Sequence, residues 1–323
     1  MSGSKLQPVT RKAPCPVCQK TDWCGLANDS SIAICMRIFE GSVRESKNGG
    51  FVHVLKERER KAWQKRGHFV ANQPTNQALA PVDRRNVVFT ELLESLILSG
   101  RHSDDLMRRG LHDTFIANNL FASVPGESKA KIVCDAMASR FDLREVPGFF
   151  QQGNAWRLAV GDWCAGYFVP VRDLAGRIQA LQIRRDNGDS RYVWLSSKEK
   201  LEGTTSGAPV HFAASHRLEQ GSAIITEGAL KSDVIAQYTE SAVIGLAGVN
   251  SYKPNFGMAL KAAGVRAVRI AFDADWQKNS AVSKGLERLG LMLRDAGLKV
   301  SLLDWALNEG KGLDDLLARE VAL

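Results

Sequence analysis

The sequence predicts an α/β protein built around a parallel sheet, and three observations support this class. From Gly221 onward, short apolar runs alternate with helical patterns, which is typical of a parallel sheet covered by helices on both faces. A strand-rich stretch precedes this region and predicts a second, smaller sheet. Four clustered cysteines near the N terminus predict a small module that folds around a metal ion.

Length, apolar content and charge limit the class of protein. The chain has 323 residues, 44% of them apolar, which suffices for one large domain or two to three small ones. No stretch approaches the roughly 20 apolar residues that cross a bilayer, so we expect a cytoplasmic protein that does not bind membranes. Residues 1–70 contain 13 Lys or Arg but only 6 Asp or Glu. This basic segment is expected to bind a polyanion, the alternative being a solvated basic tail.

Composition and periodicity divide the chain into four regions. Residues 1–55 hold the cysteines, 56–85 are a basic segment followed by a linker, 86–215 begin with helices and continue as strands, and 216–323 form the alternating region. The predicted strands are 168–173, 177–184, 192–195, 223–226, 242–246, 267–272 and 299–303, and the clearest helices are 229–238 and 282–296.

The cysteine cluster has the spacing of a zinc site. Cys15 and Cys18 form a Cys-x-x-Cys pair, and Cys24 and Cys35 complete a set of four. Four thiolates close a tetrahedral site, so the expected zinc is structural. His53 is an alternative to Cys24 as a ligand, and buried free cysteines or a redox pair are the alternatives to metal binding.

Residues around this cluster are candidates for nucleic-acid contact. Trp23 can stack on a base, and Arg37 and Arg44 can pair with phosphate, although single aromatic residues more often serve in packing. The two remaining cysteines, Cys134 and Cys164, are expected in the core.

An acidic constellation lies at the ends of two predicted strands. Glu227 ends one strand, and Asp273 and Asp275 follow another. Ligands of parallel α/β sheets bind beyond the carboxyl ends of the strands, so these carboxylates are expected to converge. Oxygen ligands of this kind suit Mg²⁺ or Mn²⁺. Two such ions about 4 Å apart can activate a 3′-hydroxyl and stabilise a leaving pyrophosphate.

Two further features accompany the acidic residues. Asp314 and Asp315 follow the last strand, either as outer metal ligands or with Asp314 as a helix N-cap, which we favour. Lys231 lies one turn after Glu227 and is a candidate contact for phosphate, the alternative being a surface lysine.

These residues resemble the TOPRIM fold that bacterial primases share with type IA and II topoisomerases and some nucleases. The sequences Thr226-Glu227-Gly228 and Asp273-Ala274-Asp275 are similar to its two signatures. The resemblance implies that Glu227 acts as a general acid or base or as a metal ligand, and that Asp273 and Asp275 bind Mg²⁺.

The preceding region is similar to the strand-rich subdomain before TOPRIM in bacterial replicative primases. The similar stretches are residues 106–111, 166–173, 176–185 and 191–197. With the zinc ribbon first, the order of parts is that of a primase. The closest resemblance is to primase-like TOPRIM proteins of phages and mobile elements, through Trp-Leu-Ser-Ser and Gly-Leu-Asp-Asp. Replicative primases commonly have a histidine in the ribbon, whereas this ribbon is all cysteine.

The resemblance also implies a basic ridge that holds template or nucleoside triphosphate. Its members would be Arg172, Arg177, Arg184, Arg185, Lys198 and Lys200, with Lys231 nearby. Side chains alternate along a strand, so about half of them are expected to be ordinary surface charges. His211 is a further candidate for substrate contact.

The function predicted from these parts is that of a DNA primase, a nucleotidyltransferase with DNA-directed RNA polymerase activity. It would make short RNA primers on single-stranded DNA from ribonucleoside triphosphates, for a phage, plasmid or other mobile element, with a replicative helicase as a candidate partner. A TOPRIM nuclease using the same metals is one alternative, and a non-catalytic DNA-binding replication accessory is another. With four tyrosines and no DNA-gate domain recognised, a topoisomerase is disfavoured.

Overall fold

The computed structural model describes residues 6–38, 41–46, 50–56, 78–188, 190–278, 280–306 and 308–320. Contacts divide the chain into two compact units, Met1–Asn76 and Gln77–Leu323. The basic segment and most of the linker predicted over 56–85 lie outside the described residues. The four-region division therefore stays a prediction.

The first unit contains one antiparallel sheet of five short strands. They are β1 (Leu6–Pro8), β2 (Gly25–Ala27), β3 (Ile32–Cys35), β4 (Arg44–Glu45) and β5 (Phe51–Val54), in the order β1-β2-β3-β5-β4. Val9 packs with three buried cysteines, and Val43, Val52 and Val54 form a second small apolar group. Such small clusters bury little apolar surface, so a bound metal would contribute much of the folding energy of this unit.

The second unit begins with helices. These are α1 (Val82–Glu94), α2 (Gly100–Arg108), α3 (Asp113–Asn118) and α4 (Glu127–Ala138), with the short strand β6 (Ala122–Ser123) before α4. The helix α1 begins directly after Pro81, inside the stretch predicted as linker. Proline has no N–H to donate and is compatible with the start of a helix, so it is a weak sign of a linker here.

A small sheet follows the helices. The hairpin β7 (Phe149–Gln152) and β8 (Ala155–Leu158) precedes β9 (Gly166–Arg172), β10 (Ile178–Arg185) and β11 (Tyr192–Trp194), and the sheet order is β11-β10-β9-β6. The three predicted strands of this region are confirmed, whereas the hairpin was not predicted. One face of the sheet packs on α1 and α4 around a shared apolar core, which also contains the buried Cys134 and Cys164, as expected.

The third sheet has five strands, four of them parallel. They are β12 (His211–Ala213), β13 (Ser222–Glu227), β14 (Ala242–Leu246), β15 (Ala267–Ala271) and β16 (Lys299–Leu302), in the order β12-β14-β13-β15-β16. Only β12 runs antiparallel to its neighbour. The helices of this region are α5 (Ala229–Tyr238), α6 (Phe256–Ala262), α7 (Ser280–Asp295) and α8 (Leu313–Glu320).

Helices cover this sheet on both faces because its strands are apolar on both. On the central strand β13, Ile224 packs in one buried cluster with Ile235 and Leu313, while the next residue, Ile225, packs in another with Leu289. Alternate residues of a strand point to opposite faces, so a continuous apolar run needs cover on each side. The mixed α/β class predicted from the sequence is confirmed.

The end of α2 packs against the helices of the third sheet. Leu106 shares a buried cluster with Leu230 and Val234 of α5, and the Tyr238 hydroxyl donates to the Gly110 carbonyl at 2.9 Å. This packing joins the helical part of the unit to α5. None of the helices in the described part of the chain is long and apolar enough to span a membrane.

Candidate functional site

The structure brings the three predicted carboxylates to one edge of the parallel sheet. Strands β13 and β15 are parallel neighbours with Thr226 opposite Ala271, so Glu227 and the residues after β15 emerge side by side. Gly228 follows Glu227 with a φ of +88°, a conformation that favours glycine and lets the chain turn directly from β13 into α5. That turn places Lys231 over the same edge.

Two lysines contact these carboxylates. Lys231 forms an ion pair with Oδ1 of Asp273, and the Nζ of Lys311 lies 3.5 Å from Oδ2 of the same residue. Lys311 also lies 3.7 Å from Oδ2 of Asp275. The loop that carries Lys311 is held in place by the Ala274 N–H, which donates to the Lys311 carbonyl at 2.8 Å.

Asp314 joins the group from the start of α8. Its Oδ1 is buried and has no hydrogen-bond partner among the described residues. A Cβ added at Gly312 would collide with this carboxylate and lie 3.3 Å from the Nζ of Lys231. Glycine at this position therefore leaves room for the side chains of Asp314 and Lys231. We call Glu227, Asp273, Asp275 and Asp314 the acidic cluster.

Asp315, not Asp314, caps helix α8. The Gly312 N–H donates to Oδ2 of Asp315 at 3.1 Å, with Gly312 directly before the helix and Asp315 in its first turn. A side chain in the first turn that reaches back to the preceding N–H satisfies a donor that the helix itself cannot. The favoured N-cap role for Asp314 is therefore wrong, and its carboxylate is available to the cluster.

Burial and neighbouring acids alter the protonation of the cluster. Burial raises the pKa of Glu227, and the carboxylates of Asp273 and Asp275 add to this increase against Lys231 and Lys311. Burial likewise raises the pKa of Asp314, opposed by Lys231. For Lys231, burial lowers the pKa, but Asp314, Asp273 and Glu227 more than offset it, and the net pKa lies above the usual value. Lys231 is therefore a charged ammonium at neutral pH.

An arginine-rich cavity of about 570 Å³ lies in the same unit. It is lined by Arg101, His102, Asp105, Arg108, Arg109, Arg184, Asp186, Asn187, Arg191 and Tyr192. Three elements contribute these residues: α2, the end of β10, and the turn into β11 with the first residue of that strand. We call it the arginine cavity.

Tyr192 lines the arginine cavity, and its phenol also responds to charges of the acidic cluster. Burial raises the pKa of its phenol, while the charges of Arg109 in the cavity and Lys231 in the cluster oppose that increase. The charge of Asp314 acts on the same hydroxyl. Charges of both groups therefore act on this one side chain, which itself lines the cavity.

Asp105 organises the arginines of the cavity. It accepts a hydrogen bond from the Tyr167 hydroxyl at 2.9 Å and one from Nε of Arg109 at 3.1 Å, and Arg184 lies 3.5 Å away. Burial raises the pKa of Asp105, but the bonds and charges of the arginines lower it below its usual value overall. Two carboxylates, Asp105 and Asp186, face five arginines, so the cavity remains positive.

The structure distributes the other predicted basic residues over several places. Arg184 lines the arginine cavity and Lys231 lies in the acidic cluster. Arg172 donates to the carbonyls of Asn119 and Gly176, both at 3.1 Å, inside the fold. Arg177 pairs with Asp173 and Asp83. The structure does not bring these last two to the cavity.

Arg185 and the lysines after β11 also lie outside the cavity. Arg185 donates to the Ser190 carbonyl at 2.7 Å and so holds the turn between β10 and β11. Lys198 is exposed and lies 4.0 Å from Glu199, and Lys200 lies over the ring of Phe150 at 4.1 Å.

The expectation that His211 contacts substrate is wrong. The Arg172 N–H donates to its Nδ1 at 3.0 Å, so Nε2 carries the proton and donates to Asp233, also at 3.0 Å. The ring is only 1% exposed. Both nitrogens are occupied in the interior, where the ring joins β9, β12 and α5.

Sequence reasoning missed most of the arginine cavity. Arg101, Arg108, Arg109 and Arg191 were not singled out, although Arg108 and Arg109 lie in the stretch 106–111 and at the end of α2. Adjacent arginines at a helix C terminus interact favourably with the helix dipole. Because this stabilising role already explains their position, the sequence does not indicate that they bind a ligand.

The four predicted cysteines come together in the first unit. The sulfur atoms of Cys15, Cys18, Cys24 and Cys35 all lie within 4.8 Å of one another. His53 is occupied elsewhere, because its Nε2 lies 2.8 Å from the Ile38 carbonyl. The donor set of four thiols fits zinc, and the cluster resembles a zinc ribbon.

Backbone and arginine donors surround the thiols. The N–H groups of Arg37 and Ile38 point at the Cys35 sulfur at 3.4 and 3.3 Å, and the Arg37 guanidinium lies 3.6 Å from the Cys24 sulfur. Such donors stabilise thiolates around a metal. Arg37 also pairs with Asp22, whereas Trp23 is 72% exposed. The side chain of Arg44 lies outside the described part.

Comparison with solved structures identifies the fold. The chain is similar to the zinc-binding and RNA polymerase domains of the Aquifex aeolicus primase, with a TM-score of 0.57 at 16% identity, covering 100% of this chain and 78% of that one. The fold is primase-like. A DnaG primase catalytic domain bound to ssDNA is also similar, with a TM-score of 0.54 at 13% identity over 74% of this chain and 75% of that one.

One more solved structure and one family model also match this chain. The RNA polymerase domain of Mycobacterium tuberculosis primase DnaG has a TM-score of 0.54 at 12% identity, over 74% of this chain and 82% of that one. Residues 218–322, which contain the acidic cluster, match a family described as a domain of unknown function, DUF3854. No curated protein matches the chain.

Proposed function

We propose that this chain is a TOPRIM-type DNA primase, a nucleotidyltransferase that makes short RNA primers on single-stranded DNA. The observation that carries the proposal is that one unit contains both the acidic cluster and the arginine cavity, with Tyr192 in the cavity wall responding to charges of both. Nucleotidyl transfer needs carboxylates for a divalent cation and fixed positive charge for a triphosphate. Both requirements are met by neighbouring residues of one unit, within a primase-like fold.

The acidic cluster is suited to hold Mg²⁺ or Mn²⁺. Glu227, Asp273 and Asp275 offer oxygen ligands, and the buried Oδ1 of Asp314 lacks a partner that such an ion would supply. A bound ion would make a 3′-hydroxyl more acidic and neutralise charge on the α-phosphate. Glu227 is the candidate general base, because a carboxyl with a raised pKa is better matched to proton transfer at neutral pH.

The arginine cavity is suited to hold the triphosphate. Guanidinium groups bind phosphate oxygens through two parallel hydrogen bonds, and five arginines line the cavity: Arg101, Arg108, Arg109, Arg184 and Arg191. Arg108 and Arg101 pair with Asp105 and Asp186 but are largely exposed, with side-chain exposures of 75% and 71%, so a phosphate can compete for them. Asp105 keeps Arg109 and Arg184 oriented.

Template binding is assigned to the zinc-ribbon unit as well as the core. Trp23 offers an exposed ring for stacking, and the first 70 residues carry the excess of positive charge. One similar structure is of a DnaG catalytic domain bound to ssDNA, which supports single-stranded DNA as the template. Residues 194–197 and 312–315 resemble proteins of phages and mobile elements, which supports a role in replicating such an element. We place this activity in the cytoplasm, with a replicative helicase as a candidate partner.

A primer-synthesis assay tests the proposal directly. Zinc-loaded protein would be incubated with single-stranded DNA of mixed and homopolymeric sequence, Mg²⁺ or Mn²⁺, and labelled ribonucleoside triphosphates, and products separated on a denaturing gel. We expect short, RNase-sensitive, template-dependent products. Glu227→Gln should abolish them, while Asp295→Asn, an exposed acid at the end of α7, should not.

Other results of the same assay support the competing functions. Shortening of labelled template without new product would indicate a nuclease that uses the acidic cluster for hydrolysis. DNA binding with neither product nor cleavage, with all candidate metals supplied, would indicate a replication accessory. Either result overturns the primase proposal.

A further inference from the structure

The acidic cluster contains its own cations, which limits how many metal ions it can bind. Both carboxylate oxygens of Asp273 have an ammonium neighbour, Lys231 at Oδ1 and Lys311 at Oδ2. A carboxylate that bridges two metal ions would need both of these oxygens. We propose that the cluster binds a single divalent cation and that the Lys231 ammonium takes the place of a second cation. This inference rests on the proposed function.

Lys231 is held in the site by a helix and is partly buried, whereas Lys311 is exposed on a loop. The side chain of Lys231 is 31% exposed and that of Lys311 is 61% exposed. Lys231 stands in the first turn of α5, directly after the buried Leu230, which fixes its position on the sheet edge. Its Nζ lies beside Gly312 and Asp314 as well as Asp273. Lys311 lies on a surface loop and reaches Asp273 and Asp275 from there.

The charges of the cluster fit one ion better than two. Within the described residues of this site, four carboxylates (Glu227, Asp273, Asp275 and Asp314) face two ammonium groups (Lys231 and Lys311). Two negative charges remain, which one divalent cation neutralises. Two ions would leave an excess of positive charge beside a half-buried ammonium, and like charges repel more strongly where water is partly excluded.

The donor atoms also point to one ion. With Asp273 engaged by lysines, Oδ1 of Asp314 is a buried carboxylate oxygen that has no hydrogen-bond partner among the described residues. It faces the space that glycine at 312 keeps open, on the side of the cluster where Lys231 lies. In nucleotidyl transfer, Lys231 would hold a phosphate oxygen by a charge-assisted hydrogen bond, a contact that a second ion makes in two-metal sites.

The number of bound ions can be counted without any measurement of synthesis. The full chain would first be saturated with Zn²⁺ at the cysteines, and then titrated with Mn²⁺ while free Mn²⁺ is followed by electron paramagnetic resonance. We expect one tight Mn²⁺ per wild-type chain. Lys231→Asp should raise the count to two and broaden the spectrum through coupling of neighbouring ions.

Two control variants separate charge from other effects of substitution. Lys231→Arg keeps the positive charge and should keep the count at one. Lys299→Asp adds the same carboxylate at an exposed residue of β16, away from the cluster, and should also keep it at one. The wild-type count needs no substitution, so it remains decisive even if Lys231→Asp fails to fold.

Different results overturn different conclusions. Two tight Mn²⁺ ions in the wild-type chain, with primer synthesis intact, would refute the single-ion inference and leave the proposed function standing. A count of one that stays at one in folded Lys231→Asp would refute the role of Lys231. No Mn²⁺ binding together with no synthesis would overturn both the inference and the proposed function.

Discussion

The two candidate metal centres of this chain differ in almost every respect. The cysteine cluster offers four sulfur atoms within 4.8 Å of one another, surrounded by N–H groups and one guanidinium. The acidic cluster offers oxygen atoms at the edge of a parallel sheet and contains a buried oxygen without a partner among the described residues. Sulfur ligands in a closed set select zinc and leave no room for substrate, whereas oxygen ligands at an open edge suit Mg²⁺ or Mn²⁺.

The difference teaches how each centre relates to stability. In the first unit the metal would supply folding energy, because the apolar groups there are small. In the second unit large apolar cores stabilise the fold. The neighbouring carboxylates of the acidic cluster destabilise this unit locally, and the cores offset that effect. Removing the metal should therefore unfold one unit and leave the other intact.

Zinc removal should have the largest effect of all. Structural zinc contributes on the order of 10 kcal/mol to the folding of small modules, so a chelator should unfold the first unit and leave the second folded. Hydrogen exchange resolved along the chain measures both units at once. Cys18→Ser should lose zinc and Cys134→Ala should keep it, since Cys134 lies in the apolar core. Unchanged protection of residues 6–54 after chelation would contradict the zinc assignment.

Loss of the carboxylates should abolish synthesis without unfolding. Asp273→Asn with Asp275→Asn keeps the shape of both side chains but removes the charge that holds the cation, which is worth several kcal/mol in the transition state. Primer synthesis should fall by about 10³-fold, since each ~1.4 kcal/mol is tenfold in rate. Zinc content and the melting temperature of the second unit are the controls. Synthesis within tenfold of wild type would show that these residues are not the catalytic ones.

The arginine cavity should control nucleotide affinity. Arg108→Ala with Arg191→Ala removes two exposed cavity cations, and hydrogen bonds to charged groups contribute about 1.5–3 kcal/mol each. The KM for ribonucleoside triphosphate should rise at least about tenfold, with zinc binding unaffected. Arg140→Ala is the matched control, because Arg140 pairs with Glu91 outside the cavity. A KM that does not change would place the triphosphate elsewhere.

The smallest effect is expected on the stability of the metal-free protein. Burial raises the pKa of Glu227 in the fold, so ionising it destabilises the folded state. The neutral Glu227 carboxyl makes its full contribution to stability below its unfolded pKa of about 4.5. That contribution is lost as the pH rises through the higher pKa of Glu227 in the folded state. Glu227→Gln should then be more stable than wild type at pH 7 and gain nothing at pH 4.

Thermal unfolding at several pH values measures this effect. Saturating Mn²⁺ should reverse the order, because only the wild-type carboxylate gains from a bound cation. The matched control is Glu219→Gln, an exposed acid for which neither pH nor Mn²⁺ should matter. Equal stability of wild type and Glu227→Gln at every pH would mean that Glu227 is not buried as described.

Several parts of this molecule were predictable from local patterns in the sequence. The four cysteines, the alternation of strands and helices, and the strand-end positions of Glu227 and Asp273 are short-range features, and each strand or turn is formed by residues close together in the chain. Apolar runs of strand length must be buried on both faces, and this places polar residues at their ends. Hence the class of fold and the acidic positions followed from the sequence.

Other assignments failed because they depend on which side chains meet across the fold. Asp315 rather than Asp314 caps α8, and the ring of His211 is turned inward between Asp233 and the backbone of Arg172. Strand alternation does not say which face is covered, so Arg172 and Arg177 were as good candidates as Arg184. Packing on α1, α3 and neighbouring loops decides among them.

By itself, the sequence determined the class of fold, the four thiols and the acidic residues, because each is encoded within a few consecutive residues. Only the tertiary structure decided that arginines of α2, β10 and the following turn share one cavity with Tyr192, and that Lys231 contacts Asp273 in the acidic cluster. The physical reason is that long-range contacts are set by how whole sheets and helices pack, and no local pattern records which surfaces will face each other.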